Sequence, residues 1–242
     1  MVRELTGGIY FGDGLEASDE NQWEKALDEE PYSKFEIERI SRLAGAMARA
    51  HAQKTGKPCK VWSLDKANVL RTSRLWRHVI SEVFRTEFPD LTLEHQLIDS
   101  AALIMFKNPR TLNGILVTSN LFGDIISDEA SGIPGSLGLS PSASLAGVPD
   151  GKTKVRGIYE PIHGSAPDIS GTGSVNPVAA ILSVAMMLQY SLQLPDEAKL
   201  IEEAVRITID QGVKTKDIGG SATTAEVGDT VAKELEKLLK GR

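Results

Sequence analysis

Residues 114–124 read GILVTSNLFGD, and the order of these letters decides the fold class. Gly114 to Thr118 is almost wholly apolar and rich in β-branched residues, as a strand in a sheet buried on both faces should be. Ser119-Asn120 closes the strand in polar residues, and a helix opens near Leu121 to Asp124. The same unit recurs on moving outward. Lys60 to Leu64 (KVWSL) is a short strand running into Asp65-Lys66. Leu75 to Phe88 is helical, with Leu75, Val79, Val83 and Phe84 on one face and Pro89 as the stop. Leu91 to Ile98 is a second strand that ends in Asp99, and Ser100 to Phe106 is a short apolar helix. Further upstream, Phe35, Ile37, Ile40, Leu43, Ala44 and Met47 recur at helical spacing as far as Ala52. The Thr-Gly-Lys-Pro run at 55–58 ends that helix. Strand and helix in alternation predict an α/β protein.

The flanks are less regular. Residues 1–12 read as a short extended piece, and Asp13 to Pro31 as an acidic, exposed excursion. Residues 133–151, IPGSLGLSPSASLAGVPDG, are rich in Gly, Pro and Ser, which suits a domain crossing or a functional loop. A strand over Val155 to Glu160 leads into a long loop, Pro161 to Asn176. Asn176-Pro177 then opens a helix to about Leu192, with Asn as N-cap and Pro at the first helical position. Pro195 to Gln211 and Thr224 to Leu239 are the closing helices.

Composition excludes several function classes. The chain has 242 residues, enough for one large domain or two small ones. Its 27 basic against 33 acidic residues give a net charge of −6, with no basic concentration of the kind nucleic acid requires. Cys59 is the only cysteine, which excludes a disulfide framework within the chain and a Cys-based zinc site, and fits a reducing, cytoplasmic compartment. MVRELTGGIYFGDG lacks the charged and apolar regions of a secretory signal. The longest apolar run, Val178 to Leu188, falls short of the roughly 20 residues that span a membrane.

Polar residues collect after three successive strands: Lys66, Asp99, and Ser119-Asn120 leading to Asp124. In open α/β sheets ligands bind beyond the carboxyl ends of strands, so these loops should share one rim. Asp124 and Asp128, four apart on a helix, face the same way and repel each other. The helix dipole offsets little of that, and a divalent cation would resolve it. All-oxygen ligation favours Mg²⁺ or Mn²⁺ over zinc, with Asp99 as a candidate third carboxylate. A lone DxxxD is usually a solvated acidic face, but Leu121, Phe122, Ile125 and Ile126 flank this one. The loop EPIHGSAPDISGTGSVN, 160–176, carries small residues that let backbone N–H groups approach a ligand. It is not a Rossmann fingerprint, because the third glycine is missing. His163 alone suits a structural role equally well, and His51, His78 and His95 read as surface or helix-packing residues. RTSRLWR at 71–77 suits a helix start facing an anionic substrate, or simply a solvated face.

Taken together, RELTGGIYFG at 3–12, SLDKANVL at 63–70, HQLIDSAA at 95–102, TSNLFGDIISDEAS at 118–131, PGSLGLSPSASLA at 134–146, YEPIHGSAPDISG at 159–171 and NPVAAILS at 176–183 resemble the isocitrate/isopropylmalate dehydrogenase family. These are β-hydroxyacid oxidative decarboxylases. Asp65 to Leu70 followed by Trp76 looks more like the isopropylmalate branch than the isocitrate one. The resemblance implies NAD-dependent oxidative decarboxylation of 3-isopropylmalate to 2-oxoisocaproate, a step of leucine biosynthesis. Isocitrate, homoisocitrate, tartrate or D-malate are alternative substrates.

By this resemblance Arg3 would bind a substrate carboxylate, Tyr10 would be the acid and Lys66 the base. Asn68 would lie beside the nicotinamide and Val69 beside the substrate's alkyl group. Asp99, Asp124 and Asp128 would be the metal ligands. Lys66 and Asp99 would reach the partner's site, implying a homodimer with shared active sites. Glu160, His163, Gly164, Ser165, Ala166, Asp168, Ile169 and Asn176 would form the cofactor loop, and Asp168 would favour NAD over NADP by repelling a 2′-phosphate.

The fold implied has two domains. Residues 1–135 would be the central substrate, metal and dimerisation domain, and 136–242 the C-terminal half of the cofactor domain. Nothing matches the family's N-terminal portion, so Met1-Val2-Arg3 reads as a cut edge, and the incomplete sheet should leave apolar surface uncovered. Two outcomes follow from that reading: an enzyme seen in part, or a non-catalytic remnant that at most dimerises.

Overall fold

The structure, a computed structural model, describes residues 1–15 and 26–241; most of the excursion expected over 13–31 lies outside the described residues. The chain forms two compact units, Met1–Glu129 and Ala130–Arg242.

In the first unit, β1 (Val2–Arg3), β4 (Val61–Asp65), β5 (Leu93–Leu97) and β6 (Ile115–Thr118) form one sheet in the order β1-β6-β4-β5. Every pairing in it is parallel. The central strand β4 is buried at all five residues, as a parallel strand covered on both faces should be. The strand expected over 114–118 forms as β6 one residue later, at Ile115, and its first half is only half-buried. In sequence between β1 and the first helix, β2 (Gly14–Leu15) and β3 (Leu27–Asp28) pair antiparallel, so the ends of the excursion lie against each other.

The helix α1 (Lys34–Thr55) opens on a capping box: Ser33 Oγ accepts from Glu36 N–H while the Glu36 carboxylate accepts from Ser33 N–H. It ends at Gly56, whose φ of 67° is the left-handed conformation that glycine tolerates best. Ile37, Ile40, Ala44 and Ala48 form its buried face; Phe35, expected among them, is 68% exposed. The second helix, α2 (Arg71–Glu87), starts four residues before the expected Leu75. It buries Trp76, Val79, Ile80, Val83 and Phe84, and leaves Leu75 exposed. The core stripe of each helix thus departs slightly from the expected one: Phe35 drops out of the first, and Trp76 takes the place expected of Leu75 in the second. The buried residues of both helices pack with Val2, Val61 and Val117 of the sheet into one cluster. Two helices that follow strands complete the unit, α3 (Ile98–Lys107) after β5 and α4 (Asn120–Ser131) after β6. On α3, Leu103 and Phe106 stand exposed, Phe106 at 84%; so does Ile125 on α4.

The second unit holds β7 (Pro141–Leu145) and β8 (Gly157–Pro161), antiparallel with Ala143 opposite Tyr159. The Gly/Pro/Ser-rich stretch is therefore part strand, a correction to its reading as a crossing or loop. Three helices follow: α5 (Val178–Tyr190), α6 (Pro195–Asp210) and α7 (Thr224–Lys240), packed around Val178, Ala204, Val205, Val227 and Val231. Ile158 on β8 and Val184 on α5 are exposed. Among the described residues no helix is long and apolar enough to cross a membrane.

Candidate active site

Because all four strands of the first sheet run parallel, their carboxyl ends form one rim, and the chain leaves each strand there. Arg3 ends β1, Asn120 follows β6 by two residues, Lys66 follows β4, and Asp99 lies in the first turn of α3 just after β5. Strand order divides these residues into two clusters.

The first cluster belongs to β1 and β6. Arg3 Nη1 lies 2.7 Å from Asp124 Oδ1. Its Nε and Nη2 donate to Asn120 Oδ1 at 3.0 and 2.7 Å. Tyr10 Oη donates to Asp124 Oδ2 at 3.1 Å. A Cβ on Gly123 would meet Arg3 Cγ at 2.6 Å, so only glycine lets the arginine lie across the first turn of α4. The Tyr10 pKa is raised, by desolvation first and then by the hydrogen bond to Asp124 and its negative charge, while Arg3 pulls the other way. Asp128 stands one turn beyond Asp124 on α4, on the same side of the helix.

The second cluster belongs to β4 and β5. Lys66 Nζ lies 2.8 Å from Asp99 Oδ1. That hydrogen bond, above all, holds the Asp99 carboxyl below the ordinary range. The turn carrying Lys66, Asn68 and Val69 is pinned from beneath. Lys66 N–H donates to Ser73 Oγ at 3.0 Å, and Ala67 N–H donates to Asp65 Oδ1 at 2.9 Å. Asp65, 1% exposed, also accepts a bidentate pair from Arg77 at 2.8 and 2.9 Å. Arg74 donates to the carbonyls of Ala67 and Val69. Two arginines of the 71–77 run thus brace this turn while still lining the open cleft beside it. Val69 is 61% exposed at the rim, and the cleft, ≈ 570 Å³ in volume, is lined in part by Asn68, Arg74 and His78.

The three aspartates do not meet within one chain. Among the described residues no group of three His, Cys, Asp or Glu side chains could hold a metal ion. Asp124 follows β6 and Asp99 follows β5, with β4 between them. Two strand spacings are about 10 Å, whereas Mg²⁺ holds its oxygens at about 2.0–2.1 Å. The Asp124 and Asp128 carboxylates, hard oxygen donors one turn apart, fit such an ion in chemistry; one chain supplies two of the expected ligands at that point.

In the second unit, Glu160 lies in β8, and residues 164–174 are exposed along the whole loop. His163 is half-buried, with Nδ1 2.9 Å from the Gly164 carbonyl. Ser165 precedes Ala166, which adopts a left-handed φ of 41° and leads into a 3-10 turn over Pro167–Ile169 that presents Asp168. An alanine held there is strained backbone of the kind that concentrates at binding loops. Asn176 is 5% exposed and faces inward: its Oδ1 accepts from Val178 N–H and its Nδ2 donates to Asp217 Oδ2. The helix begins at Val178 with Pro177 as N-cap, one residue later than expected. The Asn176 side chain is thus committed to holding the loop end, leaving its backbone for any ligand.

One support of these clusters escaped the sequence reading and another was read only in part. Asp217 also accepts from Ser136 and Thr215 hydroxyls, both at 2.5 Å. Burial alone would raise its pKa, but these hydrogen bonds and that of Asn176 together hold it below the usual range. Asn120 was legible only as a polar strand end.

Residues 1–231 match the isocitrate/isopropylmalate dehydrogenase family. The chain is 67% identical over 240 residues to the 3-isopropylmalate dehydrogenase of Sordaria macrospora, covering 99% of this chain and 63% of that relative. It is 57% identical over 239 residues to the enzyme of that name from Saccharomyces cerevisiae, covering 99% and 63%. Among solved structures it is similar to an isocitrate dehydrogenase from Methylococcus capsulatus, with a TM-score of 0.84 at 34% identity over 96% of this chain and 66% of that one. A beta-decarboxylating dehydrogenase from Thermococcus kodakarensis gives 0.76 at 36% identity, over 95% and 62%. The chain thus spans just under two thirds of the curated relatives it matches. With a parallel-sheet rim that gathers Arg3, Tyr10 and Asp124, and with this agreement over nearly its whole length, the chain belongs to the isocitrate/isopropylmalate dehydrogenase family.

Proposed function

We propose that this chain is the greater part of an NAD-dependent decarboxylating dehydrogenase that converts 3-isopropylmalate to 2-oxoisocaproate in leucine biosynthesis. The observation that carries the reading is the first cluster. A cation, a phenol and a carboxylate from three separate segments meet at the carboxyl edge of a parallel sheet. In this reading the first unit is the substrate, metal and dimerisation domain, and the second is the C-terminal half of the cofactor domain.

Each residue then has a physical task. Arg3 binds a carboxylate of a 2-hydroxy dicarboxylate, exchanging one anion for another as it leaves Asp124. Tyr10, whose pKa is raised, keeps its proton at neutral pH and can donate it to carbon at the end of the reaction. Lys66 accepts the substrate's hydroxyl proton, and exposed Val69 faces its alkyl group. Asp124 and Asp128 hold Mg²⁺ or Mn²⁺, which when bound draws electron density from the substrate's oxygens. Asp168 accepts hydrogen bonds from a free ribose hydroxyl and repels a 2′-phosphate, which favours NAD as the hydride acceptor. Lys66 sits one strand and Asp99 two strands away from Asp124, and Lys66 is paired with Asp99 rather than with the first cluster, which supports a site completed by a second copy of the chain. Exposed Leu103 and Phe106 offer surface for that copy.

NADH formation from 3-isopropylmalate, NAD⁺ and Mg²⁺, with D-malate and isocitrate in parallel, tests the proposal. Asp124→Asn should abolish Mg²⁺-dependent turnover; near wild-type rates in that variant would sink the metal assignment. No turnover by a folded wild-type chain would favour the non-catalytic remnant.

A further inference from the structure

We infer that Asn120 is the positioning residue of the first cluster, a single amide that sets both the Arg3 guanidinium and the path of the chain toward Tyr10. A primary amide has one oxygen with two lone pairs and two N–H donors. Here all four capacities are used. Oδ1 receives Arg3 Nε and Nη2, and Nδ2 donates to the carbonyls of Leu5 and Gly7, both at 2.9 Å. The assignment of oxygen and nitrogen is forced, since a guanidinium only donates and a carbonyl only accepts. The residue is 1% exposed, so an unmet capacity would have no water to turn to. Its own N–H donates to Tyr32 Oη at 2.8 Å, which seats the amide against the core.

Only a primary amide can do both tasks, and asparagine holds it at this length. A carboxylate would hold Arg3 but repel the two carbonyls, and an apolar side chain would strand all four groups. Asn120 touches neither Tyr10 nor Asp124 in these contacts. It acts on them through Arg3, which reaches Asp124, and through the 5–7 segment, which leads to Tyr10. Its partners lie 113 to 117 residues away in sequence.

The inference rests on the proposed function for its catalytic meaning, but its geometry is testable without turnover. The 242-residue chain, labelled with ¹⁵N-arginine and ring-¹³C tyrosine, is compared with Asn120→Asp and Asn120→Ala. In the wild type the Arg3 Nε–H should give a resolved, slowly exchanging resonance, and Tyr10 a shift distinct from free tyrosine. Asn120→Asp keeps the acceptor and loses the donors, so the Arg3 signal should persist while Tyr10 moves to its solvent value. Asn120→Ala should release both. A merely structural role would move both signals together in both variants, and that result would overturn the inference. So would an Arg3 Nε–H that exchanges freely in the wild type, a measurement that stands even where a variant does not fold. Binding of 3-isopropylmalate with Mg²⁺ adds the link to function: Asn120→Ala should weaken it by about tenfold or more, through loss of a charge-assisted hydrogen bond. Absence of binding by the wild type would count against the proposed function alone, because the spectral split still decides the positioning role.

Discussion

His95 shows how one side chain ties the first unit to pH. It lies on β5, its Nε2 2.9 Å from Ser81 Oγ and its Nδ1 buried with no hydrogen-bond partner. Burial first, and then the charge of Arg77, lower its pKa; Asp65, 4.0 Å away, opposes them. An unfolded chain, with a histidine pKa of about 6.5, then binds the proton more tightly than the folded one. Stability from this group is complete above about pH 6.5 and is lost as pH falls through the folded value. The urea midpoint should therefore drop on acidification below that point, and His95→Gln should flatten the drop; an unchanged slope would refute the assignment. His95 read in sequence as a surface or packing residue because its neighbours, Asp65, Arg77 and Ser81, come from another strand and a helix. Asp124, Asp128 and Lys66 were legible because their signal is local: helical spacing or a strand end. Asp217 was not legible, and Asn120 was legible as a polar strand end but not in its role, because each is defined by partners from distant parts of the sequence.

At the scale of the element, Gly45 sets how closely α1 approaches the end of α2. A Cβ there would stand 2.5 Å from the Phe88 ring. Gly45→Ala gains about 1 kcal/mol of helix propensity but overfills a packed contact at about 1–3 kcal/mol. A net loss of stability in urea denaturation is the expected result; a gain would mean that Phe88 swings aside freely. Ser33→Ala removes one half of the α1 capping box and should cost about 1 kcal/mol. Strand and helix identity in the first unit were plain from apolar runs and periodicity, while the phase of α1 and α2 was not. Phe35 and Leu75 fit the helical stripe as well as Ile37 and Trp76 do, and only packing against the sheet separates them. The strand β7 was hidden because Pro141, Ser142, Ala143 and Ser144 carry no β-branched signal. Its pairing with β8 decides its conformation.

At the scale of the whole molecule, the proposed sharing of a site between two copies has a direct signature. Lys66→Ala and Asp124→Asn should each be inactive alone. Mixed after joint refolding, they should regain turnover, because one site of the mixed dimer takes Lys66 from one chain and Asp124 from the other, both intact. Failure to recover activity would place the whole site in one chain. Phe106→Glu on the exposed face of α3 should lower the apparent mass in sedimentation if that face seats the second copy. The parallel pairing of β1 with β6 has a consequence in time. Arg3 leaves the ribosome ahead of its amide and carboxylate partners and acquires them only when residues 120 and 124 follow. At about 5–20 residues per second, synthesis of the intervening stretch takes roughly ten seconds. Through that interval the nascent sheet lacks its β6 neighbour, and the guanidinium at its edge is open to any passing anion or chaperone.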